Sequence, residues 1–336
     1  MAARNPDLSR ERQPVLAVSC GDPAGVGPEV IASALLRVCQ QGADASRFIL
    51  LGDPRVFAAV GLDEQGGFRF QAAGSWDPKA DPAGGPSPRS GAAAVAALEA
   101  AIDLALTGAA DGVVTGPLSK EAMRAAGHPW PGQTELLIER CKAGEALMLF
   151  VADRLRVALL TRHVPIREVP GLIDQESIER TLLLLTQSLE RDFGVVSPTI
   201  GVAALNPHAG EHGLFGSEER DCIAPAVLRS NQRGLRVLGP MPADTLFVRQ
   251  KSGEFDAVLA LYHDQGLIPL KLMGFGRAVN VTAGLPIVRT SPDHGTAYDI
   301  VGKGIADPSS MAAAIDVATL MIRNRRSFLN PNPRTC

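Results

Sequence analysis

Cysteine is sparse and unpatterned in this chain: Cys20, Cys39, Cys141, Cys222 and Cys336 are scattered, odd in number and without a C-x-x-C pair. That excludes a disulfide framework and a thiolate zinc site, and it fits reduced thiols in a cytoplasmic protein. Long apolar runs are missing too. Nothing approaches the roughly 18 uninterrupted apolar residues of a membrane-spanning helix, and the apolar stretch before Cys20 in "VLAVSC" is far shorter than the roughly 7–15 residues of a signal h-region. There is no surplus of positive charge: 33 basic against 36 acidic residues leave a formal charge of -3, which argues against a nucleic-acid surface. The one basic cluster, "RNRR" at Arg323 to Arg326, reads as the last turn of a helix. Nucleotide fingerprints are absent as well. In "GDPAGVGPEV" the spacing of Gly21, Gly25 and Gly27 does not match G-x-G-x-x-G, and no Walker lysine follows.

What is present is an alternation of β-rich apolar runs with helix-period segments: "PVLAVSC" then "EVIASALLRVC", "RFILLGD" then "PRVFAAVG". Strand and helix in turn predict an α/β fold with a largely parallel sheet. "ALMLFVADRLRVALLTRHVP" breaks the pattern, since only Asp153-Arg154 separates two apolar runs. It predicts an antiparallel pair and a change of domain. "DQESIERTLLLLTQSLERDFG" predicts an amphipathic helix with Leu182, Leu183, Leu185 and Leu189 inward. Further strands are predicted at "PTIGVAAL", "LRVLGP", "FDAVLALY", "AVNVTAG" and "LPIVRTS". The segment Ala72 to Ser90, with four prolines and no periodicity, reads as an exposed loop. A closing helix from Ser310 to Ile322 returns to the first domain.

Six histidines can be weighed singly. His208 and His212 share an H-x-x-x-H spacing, but Pro207 and Gly210 speak against a metal-binding helix. His163, His208 and His263 each follow an apolar strand-like run. Strand ends are where open α/β sheets keep their chemistry, so the three imidazoles are candidates to converge on one divalent cation; hydrogen-bonded boundary histidines are the alternative. In "LYHDQGLIPLKLMGFG", Lys271 reads either as a buried charge for an anionic substrate or acid/base work, or as a solvated helix-end lysine. "TGPLSK" is a strand-to-helix turn in which Lys120 has a potential anion role. In "PGQTELL", Thr134 is an N-cap or a phosphate-binding hydroxyl. "TSPDHGTAYDIVGKGIADP", with His294 and Asp299, suits a loop around a nucleotide.

Taken in order, "GDPAGVGPE", "TGPLSK", "GQTE", "LNPHAGE", "LYHDQGLIPLK" and "DHGTAYDIVGKGIADP" resemble the 4-hydroxythreonine-4-phosphate dehydrogenases of pyridoxal phosphate biosynthesis, from about Val15 to Ile322. The resemblance implies an isocitrate/isopropylmalate-dehydrogenase-like fold of two α/β/α domains with a cleft between them. The limits expected are 1–138 plus 272–336 for a discontinuous first domain and 139–271 for a second that carries metal ligands and dimer contacts. It implies metal ligands at His163, His208 and His263 and substrate contacts at Gln133, Thr134, Lys271, Asn280 and Arg289. Catalytic candidates are Lys271 and Asp264, and cofactor contacts fall on His294 and Asp299. It also implies NAD (with NADP as an alternative), one divalent cation (zinc, cobalt, magnesium or manganese), and a cytoplasmic homodimer with its site at the subunit interface. The implied reaction is oxidation of 4-phosphooxy-L-threonine at C3 and decarboxylation to 3-amino-2-oxopropyl phosphate. Gln133 departs from the histidine usual in that family and cannot serve as a base. It keeps open a paralogue acting on 4-phospho-D-threonate or a cis-dihydrodiol carboxylate, or a non-catalytic metal- or ligand-binding protein; phosphate acyltransfer, which needs neither metal nor NAD, is the rival from another class.

Overall fold

The computed structural model describes residues 12–274 and 276–329. Strand β1 (Leu16–Ser19) is followed by helix α1 (Gly27–Gln40), β2 (Phe48–Gly52) by α2 (Pro54–Ala59), β3 (Arg69–Ala72) by α3 (Pro88–Leu106), and β4 (Gly112–Thr115) by α4 (Lys120–Ala125) and α5 (Gln133–Cys141). The hairpin of β5 (Leu147–Ala152) and β6 (Leu155–Leu159) comes next, then α6 (Gln175–Phe193), β7 (Thr199–Ala203), α7 (Ala224–Gln232), β8 (Arg236–Met241), α8 (Ala243–Lys251) and β9 (Ala257–Ala260). Helix α9 (His263–Gly274), strands β10 (Val279–Ala283) and β11 (Val288–Pro292), and α10 (Ser309–Leu329) complete the chain.

The strands form one sheet in the order β3-β2-β1-β4-β11-β10-β5-β6-β9-β7-β8. Its flanks are parallel, as the strand-helix alternation predicts. The centre is not: β10 runs antiparallel to both β11 and β5, and β5 antiparallel to β6. The predicted antiparallel pair is thus present, turned at Asp153 with φ 51°, a left-handed position that Asp tolerates better than most residues.

Burial follows the two-residue period of a strand. In β5, Leu147, Leu149 and Val151 face one core, while Met148, Phe150 and Ala152 face another shared with Leu246 and Phe247 of α8 and Leu267 and Leu270 of α9. The first core also takes up Leu182, Leu185 and Leu189 of α6, each contributing about 1.5–3 kcal/mol on burial. Asp174 caps α6 by accepting from the Ser177 amide at 2.8 Å, and Gly194 ends it at φ 66°. Leu183 corrects the prediction. It is 47% exposed, because four successive leucines span more than the helix face that meets the core. The proline-rich loop is also less open than its composition suggests: Trp76 is 2% exposed and packs with Val56 and Ala93, and Asp81 is buried.

The basic cluster lies within the long α10, where Arg325 donates to the buried Asp192 of α6 and Arg326 to Asp111. Cys20, Cys39, Cys141 and Cys222 are free thiols; Cys336 lies outside the described residues. Among the described residues, no helix is long and apolar enough to cross a membrane.

Candidate active site

Three glycine-bearing turns meet beyond the carboxyl ends of β1, β4 and β11. Gly21 adopts φ +71° with the Gly116-Pro117 backbone against it, leaving no room for a side chain, so only glycine serves there. The Asp22 amide donates to Pro117 O at 2.8 Å and the Val26 amide to Thr296 O at 2.9 Å. "GDPAGVGPE", "TGPLSK" and "DHGTAYD", remote in sequence, are thereby knitted together. Asp22 itself is fully buried, accepting from Tyr298 Oη at 2.7 Å and from the Ala24 amide at 2.9 Å. Burial raises its carboxyl above the usual range and, with Asp22 beside it, lifts the Tyr298 phenol to about 12. This is a structural knot beneath the turns.

Over the central strands lies a cleft of about 710 Å³ whose walls include Gln133, Thr134, His163, Lys271, Asn280 and Arg289. All five residues implied as substrate contacts therefore share one cavity. Asn280 pairs with Ser291 across β10 and β11, so alternation places Asn280 and Thr282 on the same face as Arg289 and Ser291. Arg289 is 2% exposed. Its Nη1 donates to Thr282 Oγ1 at 3.0 Å, and its Nη2 to Thr115 Oγ1 at 2.6 Å and Gln133 Oε1 at 2.8 Å. Every partner is neutral. Burial pulls this guanidinium down to about 10, so it stays charged at neutral pH without a carboxylate to balance it. Arg289 Nε and Asn280 Oδ1 are buried and unpartnered.

Lys271 is not the buried lysine considered from the sequence. It is 49% exposed and faces Asp293, Nζ to Oδ2 3.5 Å, because it sits in the last turn of α9 at the cleft mouth. Burial raises the Asp293 carboxyl, and Lys271 partly offsets this. Thr134 is not an N-cap: Gly132 holds that position and Thr134 lies in the first turn of α5, facing the cleft. Asp264 is outside the cleft. It borders another cavity beside α8, and its Oδ1 lies 2.7 Å from His263 Nδ1.

The three histidines stand at the carboxyl ends of β6, β9 and β7, adjacent parallel strands. His163 and His263 are neighbours, with ring centroids 5.5 Å apart. His208 is turned toward Phe215, at 6.4 Å. No three His, Cys, Asp or Glu side chains among the described residues are grouped to hold a metal within one chain. His208 lies in a left-handed turn in which His208, Ala209, Glu211 and His212 all have φ between 43° and 56°, at a cost of about 1–2 kcal/mol for each such L-residue. The carboxylate of Glu219 holds its root, accepting from the Leu205 and Asn206 amides at 2.8 and 2.7 Å. Partial burial, with the positive charges of Lys120, His263 and Arg162 nearby, lowers the His163 pKa and favours the neutral, ligand form.

A smaller cavity of about 270 Å³ adjoins the cleft and shares Lys271, Asp293 and His294 with it; Val26, Ile300 and Ala306 line its apolar side. His294 Nε2 is buried without a partner. Asp299 is exposed on the turn that carries Ile300, outside this lining. Sequence reading passed over Asp293 and Arg162. Each stands immediately before a singled-out histidine, and that adjacency was the available signal.

Residues 59–318 match the family described as pyridoxal phosphate biosynthetic protein PdxA. The chain belongs to the PdxA family. Among its relatives, the 4-hydroxythreonine-4-phosphate dehydrogenase of Desulforapulum autotrophicum is 42% identical over 92% of this chain and 96% of that one. The crystal structure of the Klebsiella pneumoniae 4-hydroxythreonine-4-phosphate dehydrogenase superposes with TM-score 0.83 at 36% identity, covering 94% and 99% of the two chains. A terephthalate 1,2-cis-dihydrodiol dehydrogenase from Burkholderia xenovorans shares the PdxA-type fold at TM-score 0.63 and 28% identity, covering 92% and 98%.

Proposed function

We propose that this PdxA-family chain oxidises 4-phosphooxy-L-threonine at C3 with NAD and a divalent cation, and that loss of carbon dioxide then gives 3-amino-2-oxopropyl phosphate. The observation that carries this reading is Arg289, a buried guanidinium facing a cleft with only neutral partners. An uncompensated buried cation favours an anion, and a phosphorylated amino acid supplies anionic groups.

The donor set fits a cation. His163 and His263 lie side by side, and Asp264 accepts from His263 Nδ1–H in the tautomer that leaves Nε2 free, a carboxylate-histidine arrangement common behind metal ligands. His163, His208 and His263 would hold the ion. When bound, it supplies Lewis acidity that lowers the pKa of the substrate alcohol and polarises the ketone formed from it. Arg289 and Asn280 orient the substrate, while Gln133 fixes Arg289. Lys271, open at the cleft mouth, would take the alcohol proton as the neutral amine, after its own proton has passed to solvent directly or through Asp293. Asp264 serves by holding His263. The smaller cavity would take the nicotinamide dinucleotide: Val26, Ile300 and Ala306 offer an apolar slot for a planar ring, and His294 lines it, while Asp299, on the turn that carries Ile300, would reach the cofactor only from outside this lining.

The assembly is a cytoplasmic homodimer in this reading. Ile268 and Leu272 of α9 and Val248 of α8 are exposed apolar residues around a cavity of about 580 Å³, and a second copy would cover them. The cleft would divide residues 1–138 and 272–336 from 139–271. Because one chain does not gather all three histidines, the partner would complete the site. Mixing inactive His163→Ala and His208→Ala proteins then restores activity; no recovery after subunit exchange argues for sites confined to one chain.

A second reading, a cis-dihydrodiol carboxylate as substrate, draws on Gln133 and on the Burkholderia xenovorans structure. The experiment that decides is competition among 4-phosphooxy-L-threonine, 4-phospho-D-threonate and a cis-dihydrodiol carboxylate, scored by kcat/KM for NADH formation. The proposed substrate wins by at least tenfold in this account. A higher value for either rival overturns it.

A further inference from the structure

The strand ends that carry His163, His263 and His208 are tied to one another below the histidines. The register of β7 with β9 ends at Val202 and Leu259. Past that point β9 stays beside β6, where the Thr161 amide and hydroxyl both donate to Leu261 O, at 3.1 and 2.7 Å. From β7 it parts, and the side chain of Gln265 bridges the two. Gln265 Oε1 accepts from the Leu261 amide at 2.7 Å, and its Nε2 donates to Ala204 O at 2.6 Å. The reverse amide orientation would set donor against donor and acceptor against acceptor, so one orientation alone is satisfied. Gln265 is 9% exposed. It reaches this place because Gly266 lets the first turn of α9 lie directly on β6 and β9: an added Cβ there would come within 3.0 Å of the Val157, Leu159 and Ala260 side chains.

The hydrogen-bonded series of Thr161, Leu261, Gln265 and Ala204 thus runs beneath all three candidate ligands. Thr161 stands two residues before His163, Leu261 two before His263 and Ala204 four before His208. We propose that Gln265 is a positioning residue for the divalent cation: its amide fixes the separation of the strand ends that carry His263 and His208. This step rests on the metal role proposed above for those histidines. His208 stands on a left-handed turn outside the sheet, so its location depends on where the chain leaves β7. Metal-ligand distances hold to within about 0.2 Å, and a shift of the Ala204 segment too small to unfold the protein is therefore still large at a cation. Gln265 does not line the cleft, so it acts through the histidines and not on the substrate.

Cobalt titration of the metal-stripped protein tests this, with Gln265→Met, Gln265→Asn, His208→Ala, His263→Ala and Gln250→Met beside wild type. Methionine keeps the length and bulk of glutamine without the amide. In Gln265→Met the apparent Kd for cobalt rises about 10–100-fold, the usual effect of removing a group that orients a metal ligand. Gln265→Asn, one methylene too short to reach both backbone groups, behaves likewise and carries the test if the methionine variant does not fold. Gln250 is the control. It is 2% exposed and its Nε2 donates to Arg156 O at 2.7 Å, near the start of β6 and away from His163. Gln250→Met therefore lowers the Tm of the metal-free protein, as Gln265→Met does, but leaves cobalt affinity unchanged. Cobalt affinity that survives in Gln265→Met while it is lost in His208→Ala and His263→Ala overturns the brace and leaves the metal reading standing. Equal weakening in Gln250→Met and Gln265→Met assigns Gln265 to general stability and overturns it too. If wild type takes up no cobalt, or the two histidine variants bind it as wild type does, the metal reading itself falls and the positioning role with it.

Discussion

Arg289 Nη2 donates to Gln133 Oε1 at 2.8 Å, so a neutral amide occupies a place from which a carboxylate would cancel a buried charge. The guanidinium is held in position and left electrostatically unsatisfied. That combination suits a binding group better than a structural one.

Gln133→Glu supplies the missing carboxylate. The substrate then competes with an internal anion, and KM for 4-phosphooxy-L-threonine rises at least about tenfold, roughly 1.4 kcal/mol. Steady-state kinetics check this, and an unchanged KM would remove Arg289 from the substrate site.

Arg289→Met separates binding from stability. It deletes an uncompensated buried cation while keeping much of the volume, so the ligand-free protein melts at the same temperature or higher. Activity falls by about 10–100-fold or more with the lost charge-assisted contacts. A large drop in Tm would mean instead that Arg289 is a core element.

Arg325→Ala makes the opposite case. Asp192 is fully buried and its carboxylate accepts from Arg325 of α10 and from Arg191. Removing one of two partners destabilises by about 2–3 kcal/mol, somewhat below the loss for an isolated buried pair, with kcat unaffected. Denaturant unfolding measures it, and a change under about 0.5 kcal/mol, the usual range for surface substitutions, contradicts the assignment.

The pH dependence of metal uptake follows from His163. Its folded pKa lies below 6.5 through partial burial and the charges of Lys120, His263 and Arg162. The fold thus disfavours the charged ring: stability from this group is present above 6.5 and is lost as pH falls from there through the lowered folded value. Metal affinity, which needs neutral imidazole, accordingly falls off at a lower pH than it would with an unshifted His163. Lys120→Met shifts its acid midpoint upward toward the free value, as cobalt titration at a series of pH values would report. A midpoint that stays put removes Lys120 from the neighbourhood of His163.

Much of this was legible in sequence because period and punctuation carried it. Two apolar runs with no room for a crossover announce the β5-β6 hairpin, and the amphipathic leucine pattern announces α6. The five residues that the resemblance implies as substrate contacts line one cleft. What could not be read depends on distance across the fold. For Lys271 the sequence leaves a buried and a solvated helix-end reading open, and its place in the final turn of α9, where the side chain reaches solvent, decides for the second. Leu183 looked like core because a run of leucines hides which residues of a 3.6-period helix face outward. Strand β3 and helix α8 escaped because one is a short exposed edge strand and the other has little sequence contrast with its flanks. Arg162 went unremarked because only a structure shows that its donors have no partners.

The most direct test of the central claim is NADH formation from 4-phosphooxy-L-threonine and NAD by metal-stripped protein, before and after divalent cations are restored. The account predicts no turnover without metal, recovery on adding zinc, cobalt, magnesium or manganese, and no recovery in His208→Ala, while His212→Ala retains most activity. Turnover by the stripped protein equal to that of the restored one, or equal losses in the two histidine variants, would contradict it.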